Sequence, residues 1–133
     1  AQFNLAQCYF YGDGVKKNNK KATYWFQQSA EIGHSDAAHL LGAMNSKGLS
    51  KKTNLIFYDE NYAMFKNYDL AFKSYSQASE QGCSESKNNL GLIYLLGCGV
   101  PKNLAAAQKL LGEAVTLGDK LAEQNLNEIM SNG

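Results

Sequence analysis

Cysteine is scarce and unpaired in this chain: Cys8, Cys83 and Cys98 are odd in number and form no CxxC motif. Neither a complete disulfide framework nor a cysteine-based zinc site is therefore expected. Cys83 and Cys98 flank one predicted helix of about 13 residues, which at 1.5 Å per residue sets their backbones roughly 20 Å apart, beyond disulfide reach. Free thiols lean toward a reducing compartment, and an exported chain that has lost a signal peptide is also compatible with them. Charge of one sign is also missing. The net charge is +1 with no dominant block, so the concentrated Lys/Arg face of a nucleic-acid binder is absent and nucleic acid is not an expected partner. The one short basic run, Lys16, Lys17, Lys20 and Lys21, reads as a solvated turn and helix start. Long apolar runs are lacking too: the stretch from Leu90 to Leu96 is far shorter than the roughly 20 residues that cross a bilayer. No initiator Met is present, and Ala1 already lies inside a repeated pattern, as in a fragment or a processed form. An apolar content of 44% with 19% charged residues is that of a soluble globular chain, and 133 residues suffice for one domain with a real core.

What is present is repetition. GDGV at 12–15 returns as GCGV at 97–100, inside a longer frame. Ala1, Leu5, Ala6, Tyr9, Gly12, Gly14, Val15, Asn18, Ala22 and Gly33 correspond, at a constant shift of 85, to Ser86, Leu90, Gly91, Tyr94, Gly97, Gly99, Val100, Asn103, Ala107 and Gly118. A middle copy begins at a shift of 36 with Ala37, Leu41, Gly42 and Gly48, then resumes at a shift of 49 with Asn67, Ala71, Ala78 and Gly82, so it carries a 13-residue insertion. Ala122 and Leu126 open a fourth half-copy. A period in the mid-thirties without strand alternation is the signature of a helical solenoid.

Each unit reads as a helix pair. Small or apolar residues at positions 1, 5, 6 and 9 of the unit share one side of a helix at 100° per residue. Gly or Ala at position 6 lets a partner backbone come close, and Tyr9 and Tyr94 fill the space beyond. The GxGV segment ends the first helix, since glycine reaches positive φ without strain. Asn18, Asn67 and Asn103 then stand where a side chain can cap the second helix. Those second helices are predicted at about 19–32, 68–81 and 104–117, each closed by a glycine. The expected fold is all-α: a right-handed α-α superhelix of three antiparallel helix pairs plus a closing helix, one domain over 1–133. The repeats fall at about 1–36, 37–85 with the insertion near 49–61, and 86–121, and the closing helix at 122–131.

The pattern Leu5, Tyr9, Gly12, Gly14, Val15, Lys21, Ala22, Trp25, Ala30, Gly33, and its copy Leu90, Gly91, Tyr94, Gly97, Gly99, Val100, Ala107, Ala114, Gly118, resembles the SEL-one-like repeat family of tetratricopeptide-like solenoids. The resemblance covers nearly the whole chain except roughly residues 49–61. Copy two departs from it, with Asn45 in place of the tyrosine and no second Gly or Val after Gly48. The resemblance implies a noncatalytic adaptor or scaffold in signalling, secretion, quality control or host interaction.

Several local motifs carry other chemistry. The GxG turns follow helices rather than strands, so they read as structural turns and not as phosphate loops. His34 and His39 have no Asp, Glu or Cys at metal-ligand spacing on the same face, so ordinary surface or turn roles, no metal and no cofactor are expected. Ser84, Glu85, Ser86 and Lys87 spell SxxK, which can set a serine nucleophile beside a lysine base. Cysteine-rich members of the resembling family are associated with penicillin binding, but neither SDN nor KTG accompanies the motif here. Ser86 also occupies the small-residue position of the repeat, and Ser84 suits a helix cap.

The candidate binding residues lie elsewhere. In a stack of helix pairs the first helices line an inner groove, and repeat proteins bind partners on such concave faces. The groove positions are 3, 4, 7, 10 and 11 of each unit. They hold Phe3, Asn4, Gln7, Phe10 and Tyr11 in copy one, then His39, Leu40, Ala43, Ser46 and Lys47 in copy two. Copy three contributes Asn88, Asn89, Leu92, Leu95 and Leu96, and the closing helix Gln124, Asn125 and Glu128. Exposed aromatics and leucines beside Asn and Gln, with little charge, suit apolar anchoring together with hydrogen bonding to a partner; packing between repeats is the competing use of Phe10, Leu95 and Leu96. The insertion adds Leu55, Ile56, Phe57, Tyr58, Tyr62, Met64 and Phe65 where a short turn is due, and long loops in compact repeats are often functional. Those aromatics either anchor a partner or fold back over the helix ends. The leading expectation is a module that binds a protein partner through Phe3, Asn4, Gln7, Tyr11, His39, Leu40, Lys47, Asn88, Asn89, Leu92 and Leu96 of the groove and Phe57, Tyr58 and Tyr62 of the insertion. The alternatives are an inhibitor or immunity protein that blocks a cognate enzyme or toxin, and a serine enzyme reactive toward β-lactams.

Overall fold

The structure, a computed structural model, describes residues 2–49, 55–59 and 62–132. Ala1, Gly133, and the parts of the insertion at 50–54 and 60–61 lie outside the described residues. Seven helices follow in order: α1 Gln2–Tyr11, α2 Asn19–Glu31, α3 Ser35–Met44, α4 Tyr68–Glu80, α5 Ser84–Leu96, α6 Leu104–Thr116 and α7 Lys120–Asn132. Each packs against its neighbours in the chain, and α5 also meets α7 across α6. This is the expected all-α solenoid of three pairs and a closing helix. Among the described residues no strand forms, and the nearest approach to one is a single antiparallel bridge between Ser46 and Lys66.

Local chemistry sets the helix boundaries. The Asn18, Asn67 and Asn103 side chains accept from the N–H groups of Lys21, Leu70 and Ala106 at 3.0, 3.2 and 3.0 Å, each satisfying one of the unpaired donors at a helix start. At the end of α5, Gly97 takes φ +69° and its N–H bonds to Ile93 O, a left-handed cap that a side chain would strain. Ser84 does not cap α5: it is the first helical residue, and the capping position belongs to Cys83, whose side chain makes no capping bond.

Close packing follows from the small residues at position 6. A Cβ on Gly42 would lie 2.7 Å from the Tyr75 ring, and one on Gly91 would lie 3.1 Å from Leu111 Cγ. These two glycines let α4 and α6 lie close against the first helices of their pairs. Two apolar clusters result. One joins α1 to α4 through Ala6, Phe26, Leu41 and Met44; the other joins α4 to α7 through Tyr75, Leu92, Ile93 and Leu111. The insertion contributes to both, with Tyr62 in the first and Phe57 in the second.

Candidate functional site

The inner groove is occupied by the chain's own insertion. Residues 55–59 and Tyr62 cross the first helices in reverse order, from the closing helix back to the first repeat. At the α7 end, Asn125 makes a two-way amide pair with Ile56: Ile56 N–H donates to Asn125 Oδ1 at 2.9 Å, and Asn125 Nδ2 donates to Ile56 O at 2.8 Å. Two residues on, Asn89 of α5 repeats the arrangement with Tyr58, at 2.8 Å from Tyr58 N and 3.0 Å to Tyr58 O. Asn88 adds a bond to Ile56 O at 3.1 Å. Next, Asp59 meets His39 Nε2 on α3 at 2.8 Å, and Tyr62 then stacks on Phe10 of α1 at 4.4 Å between ring centroids and pairs its hydroxyl with that of Tyr11.

The asparagine network is saturated. Each amide offers two hydrogens, and all six are used: Asn88 on Ile56 O and Asn89 Oδ1, Asn89 on Tyr58 O and Tyr75 Oη, Asn125 on Ile56 O and Asn88 Oδ1. All three side chains are at most 2% exposed. Burying them at that depth is tolerable only because every polar group is paired. Alternate residues of the insertion present their main chain to the asparagines. Between them Phe57 is buried in the core, which contributes about 2–3 kcal/mol of apolar burial.

Tyr58 closes the outer side. Its hydroxyl donates to Asp119 Oδ1 at 2.6 Å, and the same oxygen accepts Ala122 N–H at the start of α7. Burial, followed by the bond to Asp119, raises the Tyr58 pKa above that of an ordinary phenol. Burial likewise pushes the Tyr75 hydroxyl up to about 12, while its bonds with Ser46 and Asn89 pull the other way. Below the insertion, His39 is held on both nitrogens, with Nδ1 at 2.7 Å from Ser86 Oγ and Nε2 facing Asp59. Glu85 stands beside this pair. Its carboxyl is raised above the usual range by burial first, with His39 opposing and Asp59 adding to the rise.

The expected exposed groove is corrected on these observations. His39, Leu40, Asn88, Asn89 and Leu92 are buried, as are Phe10, Ala43 and Ser46, because the insertion lies over the groove and the first helices pack closely. Phe57 and Tyr62 are also buried and Tyr58 is half-buried, so the insertion aromatics turn inward. Phe3 is half-buried and stacks on His34 at 4.4 Å. Asn4, Tyr11 and Lys47 remain exposed, and Gln7 and Leu96 are intermediate. His39 is not the surface residue expected of it, and His34 caps α3 by accepting Ala37 N–H at 3.2 Å.

The SxxK geometry is not assembled, since Lys87 Nζ points to Glu113 at 3.0 Å and to Ser79 Oγ at 3.4 Å. All three cysteines are free thiols. Among the described residues, no helix is long and apolar enough to cross a membrane. One signal for the asparagine pair was present in the sequence: Asn4, Asn89 and Asn125 all occupy position 4 of the repeat frame. The path of the insertion had no such signal.

Known proteins share this architecture. The family model of the Sel1 repeat matches residues 1–34, 35–83 and 84–119. A sel1-like repeat-containing protein of Acanthamoeba polyphaga mimivirus is 31% identical over 114 residues, covering 73% of this chain and 21% of that protein. An uncharacterized protein of Neisseria meningitidis serogroup B is 26% identical over 108 residues, covering 68% of this chain and 23% of its own length. The chain thus spans less than a quarter of the length of these two relatives. The crystal structure of a Sel1 repeat protein from Oxalobacter formigenes superposes with a TM-score of 0.74 at 28% identity, covering 96% of this chain and 86% of that one. Such repeats are typically protein-interaction modules and are generally noncatalytic. Three consecutive matches over nearly the full length, on a solenoid of helix pairs, establish that the chain belongs to the Sel1 repeat family.

Proposed function

We propose that this domain binds an extended polypeptide segment of a partner protein in its inner groove, and that the insertion is the groove's internal occupant, displaced when the partner binds. The observation that carries this reading is the paired recognition of main-chain N–H and C=O at Ile56 by Asn125 and at Tyr58 by Asn89. Main-chain pairing of this kind accepts any extended segment. Selectivity would come from the pocket that takes Phe57 and from the aromatic surface of Phe10 and Tyr11 that receives Tyr62. The partner implied is an extended stretch with large apolar or aromatic side chains between its amide-paired residues. The groove members of the candidate set, from Phe3 and Asn4 to Leu92 and Leu96, serve this reading as its walls, and Phe57, Tyr58 and Tyr62 as its occupant.

A tethered occupant competes at an effective concentration on the order of millimolar. A labelled peptide of residues 55–62 should therefore bind the native chain weakly and bind a Tyr58→Ala variant at least tenfold more tightly, because the variant loses the Asp119 anchor of its own insertion. Adding Asn89→Ala and Asn125→Ala to that variant should abolish the gain. Equal peptide affinity in all three proteins would refute the reading.

A further inference from the structure

We propose that His39, Asp59 and Glu85 form a binding site for one divalent transition-metal cation of the zinc class. The three residues come from α3, the insertion and α5, and one ligand atom from each lies within 4.8 Å of the others. Ligands at about 2.0–2.2 Å around a tetrahedral zinc ion stand roughly 3.4 Å from one another. His39 and Asp59 stand 2.8 Å apart and no pair in the group is more than 4.8 Å apart, so small side-chain adjustments suffice to reach that spacing.

The imidazole is already oriented for the task. His39 is 4% exposed, and its Nδ1 is engaged by Ser86 Oγ at 2.7 Å. In the metal-free chain Nε2 meets the Asp59 carboxylate at 2.8 Å; a metal ion would take the place of the proton between them, with Nδ1–H then donating to Ser86 Oγ and the Nε2 lone pair turned to the ion. A partner on the outer ring nitrogen that fixes tautomer and ring orientation is the usual second requirement of a metal-binding histidine. The Tyr75 ring, 5.5 Å from the imidazole between centroids, adds packing that holds the ring in place.

Charge and ligand type select the ion. Two carboxylates and a neutral imidazole carry two negative charges, which one divalent cation neutralises. The imidazole favours zinc and its neighbours over magnesium and calcium, which prefer all-oxygen shells. Three protein ligands leave a position for water. A cation would also relieve the repulsion between Asp59 and Glu85 that, with burial, already holds the Glu85 carboxyl high.

Asp59 belongs to the insertion, while His39 and Glu85 belong to the groove, so the ion would tie the occupant to the groove wall. That consequence rests on the proposed function; the metal site does not. Titration calorimetry with zinc chloride alone on the full chain should show one zinc per chain. Asp59→Asn and Glu85→Gln, each close to isosteric, should each weaken binding at least tenfold with helical circular dichroism unchanged. His34→Asn, which keeps the α3 cap, should leave affinity unaltered. Cobalt in place of zinc should give visible d–d absorption without the near-ultraviolet charge-transfer band of a thiolate. The proposal fails if zinc does not bind, if either carboxylate substitution costs less than tenfold, if His34→Asn weakens binding, or if a thiolate band places the metal on a cysteine. Peptide binding enters none of these readouts, so the metal site and the groove can fail separately.

Discussion

Repeats two and three place the same frame on two different supports. In repeat three the turn is local: Gly97 and Gly99 take φ +69° and +77°, Asn103 N–H bonds back to Tyr94 O at 3.0 Å, and Asn103 caps the next helix. In repeat two the tyrosine is replaced by Asn45, whose amide turns back onto Leu41 O at 2.8 Å, and the chain leaves on a detour before α4 begins. It rejoins through contacts distant in sequence: Met64 and Phe65 N–H on Met44 O, Asn67 N–H on Asn45 O, and the Ser46–Lys66 bridge. Where a local turn holds the connection, it needs no contacts distant in sequence. Where it is lost, the detour is held by the groove itself.

The sharpest test of this contrast is the shared position 6. Gly42→Ala sets a methyl 2.7 Å from the Tyr75 ring, which is fully buried and has little room to yield, so a loss of about 3 kcal/mol is expected. Gly91→Ala meets Leu111 Cγ at 3.1 Å and Ala107 O at 3.2 Å, a milder crowding worth about 1–2 kcal/mol. Denaturant midpoints at constant m-value separate the two; equal costs would remove the distinction between the repeats.

Next in size is Asn89→Ala. It strips the bonds to Tyr58 N–H and O and leaves Tyr75 Oη and Asn88 short of partners, so a loss of about 2 kcal/mol should appear in chemical denaturation. Insertion-specific proteolysis should rise along with it. If the cleavage pattern stays that of the native chain, the asparagines are not what holds the insertion. Gly97→Ala should cost about 1–2 kcal/mol, because a left-handed φ of +69° is strained for alanine and the added methyl meets Lys102 Cγ at 2.5 Å, a flexible side chain that can turn aside. The melting temperature should fall while the insertion stays protected. The smallest effect has the opposite sign: Gly112 lies in the middle of α6 with nothing within 4 Å of an added Cβ. Gly112→Ala should therefore stabilise by up to about 1 kcal/mol through helix propensity, seen as a raised melting temperature.

Most of the fold was legible because its determinants are local. The caps at Asn18, Asn67 and Asn103, and the glycines that close the second helices, depend on chemistry within three or four residues, and their recurrence at a spacing of 36, or 49 across the insertion, made the solenoid readable. The groove was legible as a location and misread as a surface. Nothing local to Ile56, Phe57 or Tyr58 says that this run will reverse along the array and pair with Asn125 and Asn89, residues 69 and 31 positions away. The same distance hid the surroundings of His39. Its carboxylate neighbours are 20 and 46 positions downstream, so no helical spacing reveals them, whereas His34, within reach of its own Ala37 N–H, acts as a local cap.

Residue-resolved hydrogen exchange at Ile56 and Tyr58 reads out whether paired asparagine amides hold the insertion in the groove. Both N–H groups should be protected in the native chain. Asn125→Ala should release Ile56, and Asn89→Ala should release Tyr58, with the amides of Leu92 and Leu111 in α5 and α6 keeping their protection. Exchange at Ile56 and Tyr58 as fast as in an unstructured peptide in the native chain would mean that the insertion does not lie in the groove.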